Sequence, residues 1–284
     1  MNINKYPDGT SYASVHPINE FTYKLNSYED LWHLNQIVNA LNNQKITPII
    51  TIPNLIDAQA DKRFNNNESS GLKLVCNFLN SMQANFKIFH PHNAEIVEAL
   101  MDDVEIIDNR EFVKKVLDKL HKDKHRHYDG TLLDTHFDEK ISGYLTLMSS
   151  DAGGFKPLMK LCDKIGWKGQ TASASKSRLW DGKESRLVQQ IQCTDFEGKD
   201  ILLIDDICVY GGTFKGLSKL LKERNCGKLY LAVSHMTVQN LGQDPLTNYF
   251  DKVFTTNSKH DEYFTSYGEE GQLKLQNLEL IELF

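Results

Sequence analysis

The 284-residue chain lacks paired cysteines. Its five (Cys76, Cys162, Cys193, Cys208 and Cys226) are widely scattered and no CxxC occurs, so neither a zinc site nor a disulfide framework is indicated. It lacks an apolar core in its opening residues, MNINKYPDGT, and lacks any apolar run of transmembrane length. No secretory signal or membrane span is therefore expected, and a reducing cytoplasm is the expected compartment. It also lacks a positive excess: a net charge of −6 argues against a general binder of nucleic acid or membrane surfaces. An anionic substrate would then need a local basic patch or a metal. What remains is ordinary, with 40% hydrophobic and 25% charged residues, as in a globular protein of one large or two medium domains.

The most informative stretch that is present is residues 201–214, ILLIDDICVYGGTF. Four apolar residues make a buried strand, and Asp205 and Asp206 stand where it ends. A turn with Gly211 and Gly212 leads through Thr213 into a helical pattern. Glycine lets a backbone turn sharply and approach a ligand. The N–H groups of such a loop and of the following helix can then face a phosphate. Two acids beside a phosphate suit ribose hydroxyls or a metal ion.

The rest of the chain alternates helices and strands. Residues 27–43 read as a helix with a capping-box start at Ser27 and Asp30 and a stripe of Leu31, Leu34, Ile37, Val38 and Leu41. Strand 45–53, helix 69–83 (Leu72, Val75, Phe78, Leu79, Met82), strand 86–90, helix 94–101, strand 104–107 and helix 111–120 follow. Residues 121–140 break the rhythm with a polar run containing His121, His125, His127 and His136. This run reads as a solvated insertion between domains, with a metal cluster as the alternative, and the domain boundary is expected here. The alternation then resumes: strand 143–148, helix 154–165, strands 168–174, 186–193 and 199–205, helix 213–225, and strands 228–234 and 252–256. The expected fold is α/β, with two similar domains (1–135 and 141–284), each a mainly parallel sheet flanked by helices.

An apolar strand, Asp-Asp, a short variable run, Gly-Gly-Thr and a helix resemble the phosphoribosyl-pyrophosphate (PRPP) loop of type I phosphoribosyltransferases and PRPP synthetases. Other segments line up in order with the PRPP synthetases (ribose-phosphate pyrophosphokinases). YPDGTSYASV (6–15), ADKRFNNNESSGLKLVCNFLN (60–80), HPH (90–92), SSDAGGFKPLMKLCDKIG (149–166), SKSR (175–178), VSHMT (233–237) and VFTTNS (253–258) carry the match over almost the whole chain.

The resemblance implies transfer of the β,γ-diphosphoryl group of MgATP to the C1 hydroxyl of ribose 5-phosphate, with AMP leaving. Such chemistry is mainly positioning and charge stabilisation. In it, Lys176 and Arg178 are the catalytic cations. They lie at i and i+2, on one side of an extended segment, in a run through Trp180 and Gly182 that suits a mobile lid. Asp205 and Asp206 hold the ribose hydroxyls, and the loop Cys208, Val209, Tyr210, Gly211, Gly212 and Thr213 holds the 5-phosphate. Tyr6, Asp8, Thr10, Gln59 and Asp61 fall at the ATP contacts. His92 and Asp151 fall at the Mg²⁺ ligands, and Gly153 and Gly154 at the pyrophosphate. ATP sites shared between two chains imply at least a homodimer, and no nucleic acid or membrane partner is expected.

The chain departs from the family pattern in three places. The match begins about one strand and one helix late, so one sheet edge is expected to be closed differently or left open. Thr10 stands in place of a Glu, and Gln59-Ala60 in place of Arg-Gln. Cys208-Val209-Tyr210 stands where the common enzymes have an Asp-Thr type pair. The last change bears on the acceptor and leaves ADP-ribose, as used by phage-type relatives in NAD rebuilding, as an alternative to ribose 5-phosphate. A non-catalytic regulator of the same family is a further alternative. A phosphoribosyltransferase acting on a base is another, although Asp-Ala-Gly-Gly and Lys-x-Arg have no place in that family.

Overall fold

The structure is a computed structural model that describes residues 1–63, 65–124, 141–180, 185–237, 244–261, 264–266, 272–274 and 277–284, with the backbone alone for 176–180, 185–188, 264–266 and 272–274. The chain divides into two compact units, one of residues 1–108 with Phe284 and one of residues 109–283.

The first unit begins with an antiparallel hairpin, β1 (Asn2–Lys5) and β2 (Ser11–Ser14). A parallel sheet follows in the order β3 (Glu20–Thr22), β4 (Ile49–Ile52), β5 (Asn85–Phe89), β6 (Val104–Ile107). Helices α1 (Tyr28–Asn42), α2 (Gly71–Asn80) and α3 (Ala94–Leu100) connect its strands. The start of α1 is the expected capping box: Asp30 N–H donates to the Ser27 hydroxyl oxygen at 3.1 Å, and the Ser27 hydroxyl donates back to the Asp30 carboxylate at 2.9 Å. All five stripe residues of α1 are buried. Each buried Leu or Ile contributes about 1.5–3 kcal/mol of transfer free energy, which sets the face the helix presents.

The second unit holds a seven-stranded sheet in the order β15-β12-β11-β10-β7-β8-β9. Its strands are β7 (Leu145–Ser149), β8 (Thr171–Trp180), β9 (Ser185–Ile191), β10 (Asp200–Cys208), β11 (Leu229–Met236), β12 (Lys252–Thr256) and β15 (Leu278–Ile281). All neighbours are parallel except β8 and β9. Between β12 and β15 lies a small antiparallel pair, β13 (Phe264–Ser266) and β14 (Gln272–Lys274). Helices α4 (Arg110–Lys124), α5 (Phe155–Ile165) and α6 (Gly212–Lys222) complete the unit. Strands β7 and β10 have five successive buried residues each, as expected of a parallel sheet's centre.

The break between units precedes α4, whereas the sequence placed it within 121–140 and put α4 in the first domain. The reason is packing. Phe112, Val113, Val116, Leu117 and Leu120 are buried, and α4 lies against α5, β11 and β15. Of the polar run, residues 125–140, with three of its four histidines, lie outside the described residues. The run 175–185 reads from the sequence as lid-like, with Lys176 and Arg178 on an extended segment; residues 181–184 of it lie outside the described residues. The backbone of 175–180 is extended as expected, continuing β8 and pairing with β9, so that the two strands satisfy each other's N–H and C=O groups. Among the described residues no helix is long and apolar enough to cross a membrane.

Candidate active site

The site in the second unit follows from strand order. β7 continues through α5 to β8 on one side, and β10 continues through α6 to β11 on the other. Connections that leave adjacent parallel strands in opposite directions open a crevice at their carboxyl ends, where ligands of open α/β sheets bind. Ile204 of β10 pairs with Ser149 of β7, so the next residues, Asp205 and Ser150, meet at that crevice.

The Ser150 hydroxyl donates a hydrogen bond to Oδ2 of Asp205, and Asp206 N–H donates to Oδ1 at 2.9 Å. Burial, followed by the adjacent negative charge of Asp206, nevertheless raises the proton affinity of Asp205 well above the usual carboxylate range. Two crowded carboxylates of this kind are relieved by hydroxyl donors or a cation.

One strand over, Asp151 heads the turn into α5. Its Oδ1 accepts the Gly154 N–H at 3.0 Å, so the turn is closed by its own aspartate. Its carbonyl lies within reach of the Ser149 hydroxyl at 2.9 Å and the Ser173 hydroxyl at 3.2 Å. A side chain on Gly154 would bring a Cβ to 3.3 Å from that of Ser149, a tight contact that would require Ser149 to give way. Gly153 and Gly154 thus belong to the turn that follows Ser150, the residue that bonds Asp205.

The loop 208–213 closes the other side. Gly211 has φ +75° and caps α6, which starts at Gly212. Only glycine adopts that backbone without strain. Thr237 holds the loop's base, its N–H donating to the Cys208 carbonyl at 3.0 Å and its hydroxyl to the Val209 carbonyl at 2.8 Å. Cys208 is buried, and burial pushes its thiol up to about 12, so it is a neutral packing group. Tyr210, by contrast, is 74% exposed.

Lys176 and Arg178 lie on β8, three and five residues beyond Ser173, with backbones paired to Gln189 and Leu187 of β9. The Gln189 side chain crosses to α6 and donates through Nε2 to the Thr213 carbonyl at 3.1 Å.

In the first unit, Tyr6, Asp8 and Thr10 share one hairpin turn. Tyr6 N–H donates to the Thr10 carbonyl at 2.8 Å. Asp8 Oδ1 accepts the Thr10 hydroxyl at 2.7 Å and its N–H at 3.0 Å, which holds the Asp8 carboxyl below its ordinary range. The Tyr6 and Tyr12 rings lie 5.0 Å apart, both exposed. Gln59, Asp61 and His92 follow the carboxyl ends of β4 and β5. Asp61 Oδ2 accepts from Asn93 Nδ2 at 3.4 Å, which brings Asp61 beside the His92 turn, and both Gln59 and His92 are exposed.

The residue that sequence reasoning missed is Ser150. It lay within the quoted SSDAGG segment but carried no signal of its own, since its role depends on which strand lies beside β7.

Residues 103–270 match the phosphoribosyl transferase domain. A ribose-phosphate pyrophosphokinase of Sulfurisphaera tokodaii is 23% identical over 266 residues, 89% of this chain and 82% of that protein. One from Sulfolobus acidocaldarius is likewise 23% identical over the same shares. The phosphoribosylpyrophosphate synthetase structure from Mycobacterium smegmatis superposes with a TM-score of 0.70 over 99% of this chain and 85% of that one, at 17% identity. That likeness is one of fold.

Proposed function

The chain belongs to the phosphoribosyl transferase domain family, in its ribose-phosphate pyrophosphokinase (PRPP synthetase) branch, and from that membership we propose that it transfers the β,γ-diphosphoryl group of ATP to the C1 hydroxyl of ribose 5-phosphate. The hydroxyl oxygen forms a bond to the β-phosphorus, the bond from that phosphorus to the α-bridging oxygen breaks, AMP departs, and the hydroxyl proton is released. The observation that carries this reading is the corner where Ser150 meets Asp205, with the Asp151 turn on one side and the Gly211 loop on the other. Two carboxylates that gain from hydroxyl donors stand beside a helix N-terminus suited to a phosphate, which is the pair of features ribose 5-phosphate presents.

Asp205 and Asp206 accept the ribose hydroxyls, and the backbone of Gly211, Gly212 and Thr213 takes the 5-phosphate. Lys176 and Arg178 neutralise charge on the phosphates in flight, Arg as a planar fork and Lys as a mobile point charge. Tyr6, Asp8, Thr10, Gln59 and Asp61 take the nucleotide, in an assembly of at least two copies.

The reading calls for Mg²⁺. Asp151 offers a half-buried carboxylate, and His92 is the second residue offered to the ion. Among the described residues no group of three or more His, Cys, Asp or Glu forms a cage. One or two protein ligands plus waters and substrate phosphates is how Mg²⁺ is ordinarily held, so the carboxylate of Asp151 by itself suits an ion arriving with ATP. When bound, it neutralises and orients the triphosphate.

The test is to incubate the protein with MgATP and ribose 5-phosphate and follow AMP and PRPP; no AMP with any ribose-phosphate acceptor overturns the reading. A second acceptor is favoured by one observation. Tyr210 is 74% exposed at the phosphate end of the loop, where a ring could stack on a base carried beyond the 5-phosphate. ADP-ribose, which has a free C1 hydroxyl and an adenine, is that acceptor, and it is run in parallel.

A further inference from the structure

The hairpin of β8 and β9 carries the cation on which the proposed reaction most depends, and one residue ties it to the ribose-phosphate loop. Gln189 sits on β9 directly opposite Lys176 in the antiparallel register. Its Nε2 donates to the carbonyl of Thr213, in the first turn of α6, at 3.1 Å. Its Oε1 lies over Gly216, one turn further on, where an added Cβ would fall well inside van der Waals contact with that oxygen. Gly216 is therefore the floor on which the Gln189 amide rests. Any side chain there would force the Gln189 amide oxygen to shift, and with it the amide that bonds Thr213.

We propose that Gln189 is a positioning residue: it pins the rung of the hairpin that bears Lys176 to the helix whose N-terminus takes the 5-phosphate, so that the cation and the acceptor share one frame. This rests on Lys176 acting in the proposed transfer. The reason is geometric. The β9 arm is at the edge of the sheet and, among the described residues, has no strand on its other side, so a contact from outside the strand pair is what fixes the rung of Lys176 and Gln189. The Thr213 carbonyl belongs to the phosphate-binding turn itself, so whatever shifts the turn shifts the rung with it. Misplacement of a transferring group by about 1 Å costs on the order of 100-fold in rate.

The test uses Gln189→Leu, similar in size and without the amide, and Gly216→Ala, which displaces the amide without altering Gln189. Each should lower kcat about 10- to 100-fold with the KM for ribose 5-phosphate within about 2-fold, the split expected when positioning in the transition state is lost. The double variant should be no worse than the poorer single, because both act through one contact. In a Lys176→Ala background, Gln189→Leu should change residual turnover little. Amide hydrogen exchange should quicken in residues 174–180 and 189–191 of Gln189→Leu, while the centre of β10 stays protected. Unaltered exchange in the hairpin overturns the clamp whether or not the wild type turns over, as does a kcat equal to wild type when the wild type is active. A wild type silent with every acceptor overturns the proposed reaction instead, and the exchange result still decides the clamp.

Discussion

The Ser150 hydroxyl donates to Oδ2 of Asp205 across the junction of β7 and β10, two residues 55 positions apart in the chain. This bond favours the ionised carboxylate, against the burial and the Asp206 charge that favour the protonated one. Ser150→Ala removes it. The proton affinity of Asp205 should then rise further, and the acidic limb of the kcat/KM profile for ribose 5-phosphate should move to higher pH. A profile identical to wild type would remove Asp205 from acceptor binding or Ser150 from its control.

The same carboxyl predicts a stability effect of definite sign. Its proton affinity in the folded chain is raised, chiefly by burial. From the ordinary carboxylate range up towards neutrality the folded state therefore holds more protons than the unfolded state. Stability is highest at the acidic end of that window and falls as pH rises through it. Asp205→Asn should flatten this part of the curve and leave the protein at least as stable at neutral pH, while ribose 5-phosphate binding is lost. Urea unfolding between about pH 4 and pH 8, with calorimetric titration of the ligand, checks both halves.

Gly211 and Gly212 should respond differently to the same substitution. At φ +75° an alanine at 211 is strained, and Gly211→Ala should cost about 1–2 kcal/mol. A Cβ at Gly212 meets nothing within 4 Å, so Gly212→Ala should keep or slightly raise Tm. If the 5-phosphate approaches that backbone, Gly212→Ala will weaken its binding all the same. Unchanged binding would move the phosphate away from Gly212.

Lys176→Ala should lower kcat about 100- to 1000-fold, the scale of losing one group aimed at transition-state charge, with circular dichroism and Tm unchanged. Retained turnover would take Lys176 out of the mechanism.

Tyr210→Ala separates the acceptors. Loss of a stacked base should raise the KM for ADP-ribose about 10-fold and leave that for ribose 5-phosphate in place. Equal effects on both would mean that the ring does not reach beyond the 5-phosphate.

What the sequence determined by itself was everything local. The ILLI strand, the Gly-Gly-Thr helix start, the Ser27–Asp30 cap and the α1 stripe are set by residues within a turn or two of one another and stand where the sequence put them. The strand, however, runs on past its expected end at Asp205 to Cys208, because β11 pairs with it that far. The turn residues Gly153 and Gly154 were legible for the same reason, since a helix start is written in a few adjacent positions. Tertiary structure decided the rest, because each remaining feature depends on which distant strand lies alongside. Sheet order brought Ser150 to Asp205 and so set the proton affinity of that acid. Packing drew α4 into the second unit. Strand pairing made a hairpin of the Lys176 segment and laid Gln189 across Gly216 onto Thr213. Residue identity names the groups that do chemistry, but register decides which of them share a proton or a frame.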